Sequence, residues 1–148
     1  MPDQTRRGMR IALVVSRYNE FVTDPLRDAA IETLLEAGVL RDQIRVHPVP
    51  GAYEIPQAAA AAAGKGADAV ICIGCVIRGA TPHFEYISSA VAHGVMDASL
   101  QTGVPMAFGV LTTNSVEEAL ERSAPGPANK GREEAAAAVE MAELFKTL

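Results

Sequence analysis

The residues best placed to do chemistry lie in one stretch, Ile71 to Tyr86, reading ICIGCVIRGATPHFEY. It opens as an apolar run long enough for a fully buried strand. The run breaks at Arg78-Gly79-Ala80-Thr81-Pro82, a turn of small side chains with free backbone N–H groups. A helix then starts, with His83, Phe84, Glu85 and Tyr86 in its first turn. Backbone amides in a turn that opens a helix attract anions, so Gly79, Ala80 and Thr81 are candidates for holding a phosphate. A cation is disfavoured at a helix N-terminus, which leaves the neutral imidazole of His83 available as a base. Glu54 and Glu85 are the carboxylates that could orient it or balance its charge. The pattern is an anion site with a proton carrier beside it.

The other chemistry-bearing residue types offer less. His47 falls in a strand and His93 in mid-helix, and both read as structural or exposed. Cys72 and Cys75 spell C-x-x-C. In an extended run, however, positions i and i+3 point to opposite faces, and a redox pair needs a loop and a helix start to hold its sulfurs together. Both read as small core residues. No His, Cys, Asp or Glu cluster has metal-ligand spacing, so no metal site is expected.

The elements that position these residues follow from periodicity and breakers. Residues 1–8 read as a flexible N-terminal arm, and residues 9–148 as a single domain. Met9–Val15 is a continuous apolar strand of the kind found in a covered parallel sheet. A loop over residues 16–21 leads to a helix from Thr23 or Asp24, with Pro25 in its first turn, ending before Gly38. Ile44–Val49 is a second strand, in which Pro48 implies an edge position or an early end. After the loop 50–56 come an alanine-rich helix, Gln57–Ala63, and a third strand, Ala69–Val76. His83–Thr102 is a helix and Pro105–Leu111 a fourth strand. Ser115 with Glu118 has capping-box spacing for a helix closed by Arg122. A Pro/Gly loop, Ser123–Lys130, precedes a final helix, Gly131–Thr147. Strict alternation of strand and helix implies a parallel sheet covered on both sides: an α/β fold, a three-layer α/β/α sandwich with a four-stranded parallel sheet of the flavodoxin-like kind.

In open parallel sheets ligands bind at the carboxyl ends of the strands. Those ends collect Tyr18 and Asn19, Gly51 to Glu54, Arg78 to His83, and Leu111 to Asn114. The chain has three tyrosines, four phenylalanines and no tryptophan. Tyr18, Phe21, Tyr53, Phe84 and Tyr86 fall in or just beyond these loops, where a flat ligand could stack. Packing of helix starts is the competing reading for Phe21 and Phe84, and stacking and packing weigh about equally for Tyr18. Arg122 and Lys130 flank the Pro/Gly loop and would add positive charge to an anion site. By spacing alone a solvated surface is the simpler reading of both.

Composition bounds the partners. The 148 residues carry a net charge of −5 and have no basic tract, which argues against nucleic acid. No apolar run reaches the length of a membrane span, and no secretory signal is visible, so a cytoplasmic protein is expected.

Five segments then resemble the 6,7-dimethyl-8-ribityllumazine synthases of riboflavin biosynthesis: RYNEF at 17–21, PGAYEIP at 50–56, GCVIRGATPHFEY at 74–86, FGVLTT at 108–113, and ER followed by NKG between 121 and 131. They occur in order, at matching spacings, from about residue 10 to the end of the chain. The resemblance implies a transferase that condenses 5-amino-6-(D-ribitylamino)uracil with 3,4-dihydroxy-2-butanone 4-phosphate, releasing phosphate and water, without metal or redox cofactor. It implies that Tyr18, in place of the usual Phe or Trp, stacks on the pyrimidine ring, with Asn19 beside it. Ala52, Tyr53 and Glu54 contact the ribityl chain and ring edge, and Cys75, Val76 and Ile77 lie along the heterocycle through their backbone. Ala80 and Thr81 belong to the phosphate turn and His83 transfers protons. A neighbouring subunit places Phe108 over the ring, Arg122 binds the phosphate, and Lys130 is a second nearby cation. Members are homopentamers or multiples of pentamers, up to a sixty-subunit shell. The SAPGPA loop at 123–128 departs from the family's usual Lys-containing run.

Overall fold

Central strands rich in Val, Ile and Leu have no polar face to offer water, so both sides of the sheet they form must be covered. The computed structural model describes residues 4–148, and for residues 4 and 5 the backbone alone. The chain runs α1 (Gln4–Arg7), β1 (Ile11–Ser16), α2 (Glu20–Glu36), β2 (Ile44–Val49), α3 (Ile55–Gly64), β3 (Ala69–Ile77), α4 (His83–Thr102), β4 (Met106–Thr113), α5 (Val116–Ser123) and α6 (Lys130–Thr147). Two 3₁₀ turns, Arg41–Gln43 and Ala52–Glu54, precede β2 and α3. All strand pairs are parallel, in the order β2-β1-β3-β4. This is the expected three-layer α/β fold.

Each face of the sheet carries its own core. Leu13, Val15, Ile71, Ile73 and Leu111 point to the side of α2, α5 and α6. Ala12, Val14, Val70, Cys72 and Val110 point to the side of α3 and α4. Winding explains the division. The chain steps from β1 outward to β2, then reverses through β3 to β4. Right-handed crossovers in opposite directions place their helices on opposite faces. β2 is an edge strand, which accommodates Pro48, and it is largely exposed from Arg45 to Pro48.

Several boundaries move from where the sequence places them. Helix α2 starts at Glu20, a turn before Thr23, because Asn19 adopts the left-handed conformation (φ 65°) and its carbonyl accepts from the amides of Val22 (2.9 Å) and Thr23 (3.0 Å). Pro25 therefore lies inside the helix, where its missing N–H deprives only the Phe21 carbonyl. Helix α3 starts at Ile55, with Pro56 in the first turn, where proline is tolerated. Residues 1–3 of the expected arm lie outside the described residues. Gln4–Arg7 forms a helical turn from which Arg6 bridges Glu143 on α6 (3.0 Å) and donates to the Ala37 carbonyl (3.1 Å).

The closest helix contact is between α2 and α6. Asn129, 1% exposed, caps α6 by accepting from the amides of Gly131 (2.7 Å) and Arg132 (3.3 Å). Its amide nitrogen donates to the Ser123 and Ala124 carbonyls, which pins the Pro/Gly loop. A Cβ on Gly131 would collide with the Leu26 carbonyl of α2. Gly131→Ala is therefore expected to destabilise the chain by about 1–3 kcal/mol, despite the ~1 kcal/mol by which Ala is preferred to Gly in a helix. A urea midpoint lowered at constant m-value would show this; an unchanged or raised midpoint would contradict the close contact.

Candidate functional site

The winding reverses between β1 and β3. The chain leaving β1 enters α2 on one face, and the chain leaving β3 enters α4 on the other. Diverging connections leave a crevice outside the strand ends. A cavity of about 700 Å³ occupies it, lined by Tyr18 and Asn19 after β1, Gly51–Glu54 after β2, and Cys75–Ile77, Gly79, Thr81, His83, Phe84 and Ile87 of the β3–α4 segment.

Hydrogen bonds fix the rim of this cavity. Asn19 Nδ2 donates to the Cys75 carbonyl across the crevice (3.0 Å). The β1 and β2 loops are joined beyond their strands by Arg17 N to the Val49 carbonyl (2.8 Å) and Tyr18 N to the Pro50 carbonyl (3.2 Å). Tyr18 and Tyr53 are 71% and 63% exposed, so neither ring is consumed by the core and both are open to a ligand. Cys75 is 2% exposed, with its thiol in the core on the α2 side. It lines the cavity nonetheless.

The β3–α4 turn is rich in uncommitted donors. Arg78 N donates to the Thr113 carbonyl (2.8 Å), and the next committed amide is that of Glu85, to the Pro82 carbonyl (3.1 Å). Among the described residues the amides of Gly79, Ala80, Thr81, His83 and Phe84 have no hydrogen-bond acceptor. His83 is exposed at the first position of α4, and its ring hydrogen-bonds to none of the described residues. Neither Glu54 nor Glu85 orients its ring. Glu85 instead accepts from Arg78 Nη1 (2.6 Å), because a guanidinium seven residues back outcompetes a neighbouring imidazole for the carboxylate.

Four expected residues do not line the cavity in one chain. Ala80 sits in the turn between two lining residues. Phe108 is half-buried on β4, in register with Cys72, well before the strand's carboxyl end. Arg122 is exposed on α5, which packs on the opposite face of the sheet from α3 and α4. It has no ion pair with any described residue. Lys130, at the start of α6 on that same face, bonds Glu134 (3.0 Å) and Glu133 (3.2 Å). The hydrogen bond it donates to Glu134 is the main cause holding its ammonium above the ordinary lysine range. Ile87 is a lining residue the sequence reading lacked. It lies one helical turn beyond His83, and the i, i+4 spacing on α4 is the signal that would have found it.

A second groove, of about 850 Å³, opens between β2 and α3 and is lined by Ala58, Ala61 and Ala62 with Arg10, Arg45 and Lys65. It exists because alanine stumps cannot reach over the edge strand. None of the strand-end loops contributes to it.

Residues 8–146 match the profile of the 6,7-dimethyl-8-ribityllumazine synthase family. Over 143 residues, 96% of this chain and 93% of the other, the chain is 47% identical to a protein of Syntrophus aciditrophicus (strain SB) named 6,7-dimethyl-8-ribityllumazine synthase.

Cys72 and Cys75 face opposite cores across β3 and cannot pair. Burial pushes the Cys72 thiol up to about 12 and the Cys75 thiol up to about 11, so neither supplies a thiolate near neutrality. Iodoacetamide at pH 8 is expected to label neither cysteine in the native protein and both in denaturant, as read by mass spectrometry. Native labelling of Cys75 would show the strand end opening.

Proposed function

The chain belongs to the 6,7-dimethyl-8-ribityllumazine synthase family, and we propose that the β1/β3 cavity is the larger part of its active site. The enzyme condenses 5-amino-6-(D-ribitylamino)uracil with 3,4-dihydroxy-2-butanone 4-phosphate. The amine adds to the ketone and loses water to give an imine, phosphate is eliminated, and the ring closes with loss of a second water. The observation that carries the assignment of the cavity is convergence. His83, an amide-rich turn, Glu54 and two open tyrosines come from three separate loops to one crevice.

The roles are those that the family resemblance implies, and the chemistry of the residues agrees with them. Tyr18 offers a face on which the planar pyrimidine stacks. Glu54 accepts from ribityl hydroxyls beside Ala52 and Tyr53. The backbone of Cys75, Val76 and Ile77 runs along the heterocycle. The free amides of Gly79, Ala80 and Thr81 at the α4 N-terminus receive the phosphate. His83, next to that turn, shuttles protons between the amine, the carbonyl oxygen and the leaving phosphate. Most of the rate comes from holding two substrates in contact.

The site is completed by a second copy. Arg122 and Lys130 sit on the far face of their own sheet, and Phe108 lies below the strand ends, so all three serve a neighbour's cavity. Support for association comes from apolar side chains that a lone chain leaves open, including Tyr86, Met96 and Leu100 on α4 and Met141, Leu144 and Phe145 on α6. The assembly is a homopentamer or a multiple of it. Its substrates are soluble metabolites, and the reading places it in the cytoplasm.

His83→Ala is expected to slow turnover about 100-fold without abolishing it, because a proton shuttle contributes ~10²–10⁴ and proximity survives. Product absorbance reports this directly. A shared site has a sharper test: His83→Ala and Arg122→Ala chains, mixed and reassembled, should be more active than either alone, since some sites then join an intact His83 to an intact Arg122. Mixed oligomers verified by light scattering that show no gain would place Arg122 outside the site, and a chain that stays monomeric would overturn the shared arrangement.

A further inference from the structure

Given the reading of the cavity above, we infer that Arg78 is a positioning residue that sets the phosphate turn and His83 in place as one unit. The turn 79–82 leaves the end of β3 and returns as α4 without a hydrogen bond between its own amides and any described residue. Its shape is fixed instead by Arg78, which makes four contacts, two at the end of β4 and two in the first turn of α4. The backbone N donates to the Thr113 carbonyl (2.8 Å). Nε donates to Asn114 Oδ1 (2.8 Å), beyond the end of β4. Nη1 donates to Glu85 Oε1 (2.6 Å), in the first turn of α4. The guanidinium stacks 4.5 Å over the Phe84 ring, and Phe84 lines the cavity. One side chain thus ties the turn's entry to its exit and both to the neighbouring strand. His83 lies between the residues it holds and the amides it leaves free.

Stability does not account for this network. The Arg78 and Glu85 side chains are 46% and 56% exposed, and ion pairs so open to water contribute little. The planar fork does account for it: two divergent donors and a stacking face meet Asn114, Glu85 and Phe84 at once, which a lysine ammonium cannot.

The test compares wild type with Arg78→Lys, Glu85→Ala, Glu85→Gln and Asn114→Ala, measuring kcat, KM for each substrate and thermal midpoint. Asn114 is neutral and its side chain bonds only Arg78 among the described residues, so Asn114→Ala is the decisive variant. Arg78→Lys, Glu85→Ala and Asn114→Ala should each lower kcat and raise KM for the phosphorylated butanone. The combined loss in kcat/KM is about 10- to 100-fold, the scale of a misplaced catalytic group. KM for the pyrimidine amine and the thermal midpoint should hardly move, because Tyr18 and Glu54 sit on other loops. Glu85→Gln, which keeps the acceptor, should restore most of the loss. If Asn114→Ala and Glu85→Ala match wild type while Arg78→Lys is impaired, Arg78 touches substrate directly and the inference is wrong. Equal losses for both substrates with a falling midpoint would make the network merely structural, which also overturns it. A wild-type protein without turnover would instead remove the functional reading, and this one with it.

Discussion

The site follows from one topological constraint, the reversal of winding between β1 and β3. Parallel strands deliver all their carboxyl ends to one edge of the sheet, and the reversal sends neighbouring connections to opposite faces. Backbone groups at that edge then lack a covering element. Asn19 repairs part of the gap: its left-handed backbone starts α2, and its side chain crosses to the Cys75 carbonyl. The remainder stays open and is the cavity. Tyr18, Tyr53 and the 79–81 amides reach water because the fold has nothing local to put over them.

The same division of faces separates the expected site residues within one chain. The cavity opens where α3 and α4 cover the sheet, whereas Arg122 and Lys130 ride on α5 and α6 behind it. Some cations are paired locally: Arg27 lies between Asp24 and Asp28, Arg132 between Glu32 and Glu36, and Lys146 beside Asp68. Arg122, like Arg45 and Lys65, has no such partner among the described residues.

The helix starts at the carboxyl edge of the sheet are built in different ways, and the differences suit what each presents. α5 and α6 have side-chain caps, Ser115 and Asn129, which consume their first amides. α4 begins after Pro82 with no side-chain cap, so its first donors remain available to a ligand. Arg78 braces that uncapped start from outside, at Glu85 and Phe84, and leaves the amides unblocked.

Much of this was legible in the chain itself. Alternation of apolar runs with helical segments determined the parallel three-layer architecture, Pro48 marked β2 as an edge strand, and Gly38 marked the end of α2. The strand-end loops named Tyr18, Asn19, Gly51 to Glu54, Thr81 and His83 as cavity residues, because strand carboxyl ends are readable wherever a strand is, whereas Cys75 to Ile77 came from the family resemblance alone and Leu111 to Asn114 do not line the cavity. The left-handed start of α2 was not legible, since only the Cys75 carbonyl across the crevice makes Asn19 worth bending there. Glu85 also could not be assigned from sequence. Whether it serves His83 or Arg78 depends on the path of a turn with no internal hydrogen bonds. Periodicity is a local property of the chain and survives in the sequence. Which face a helix covers, which charge meets which, and which expected residues line the cavity are settled only when the sheet brings distant segments into contact.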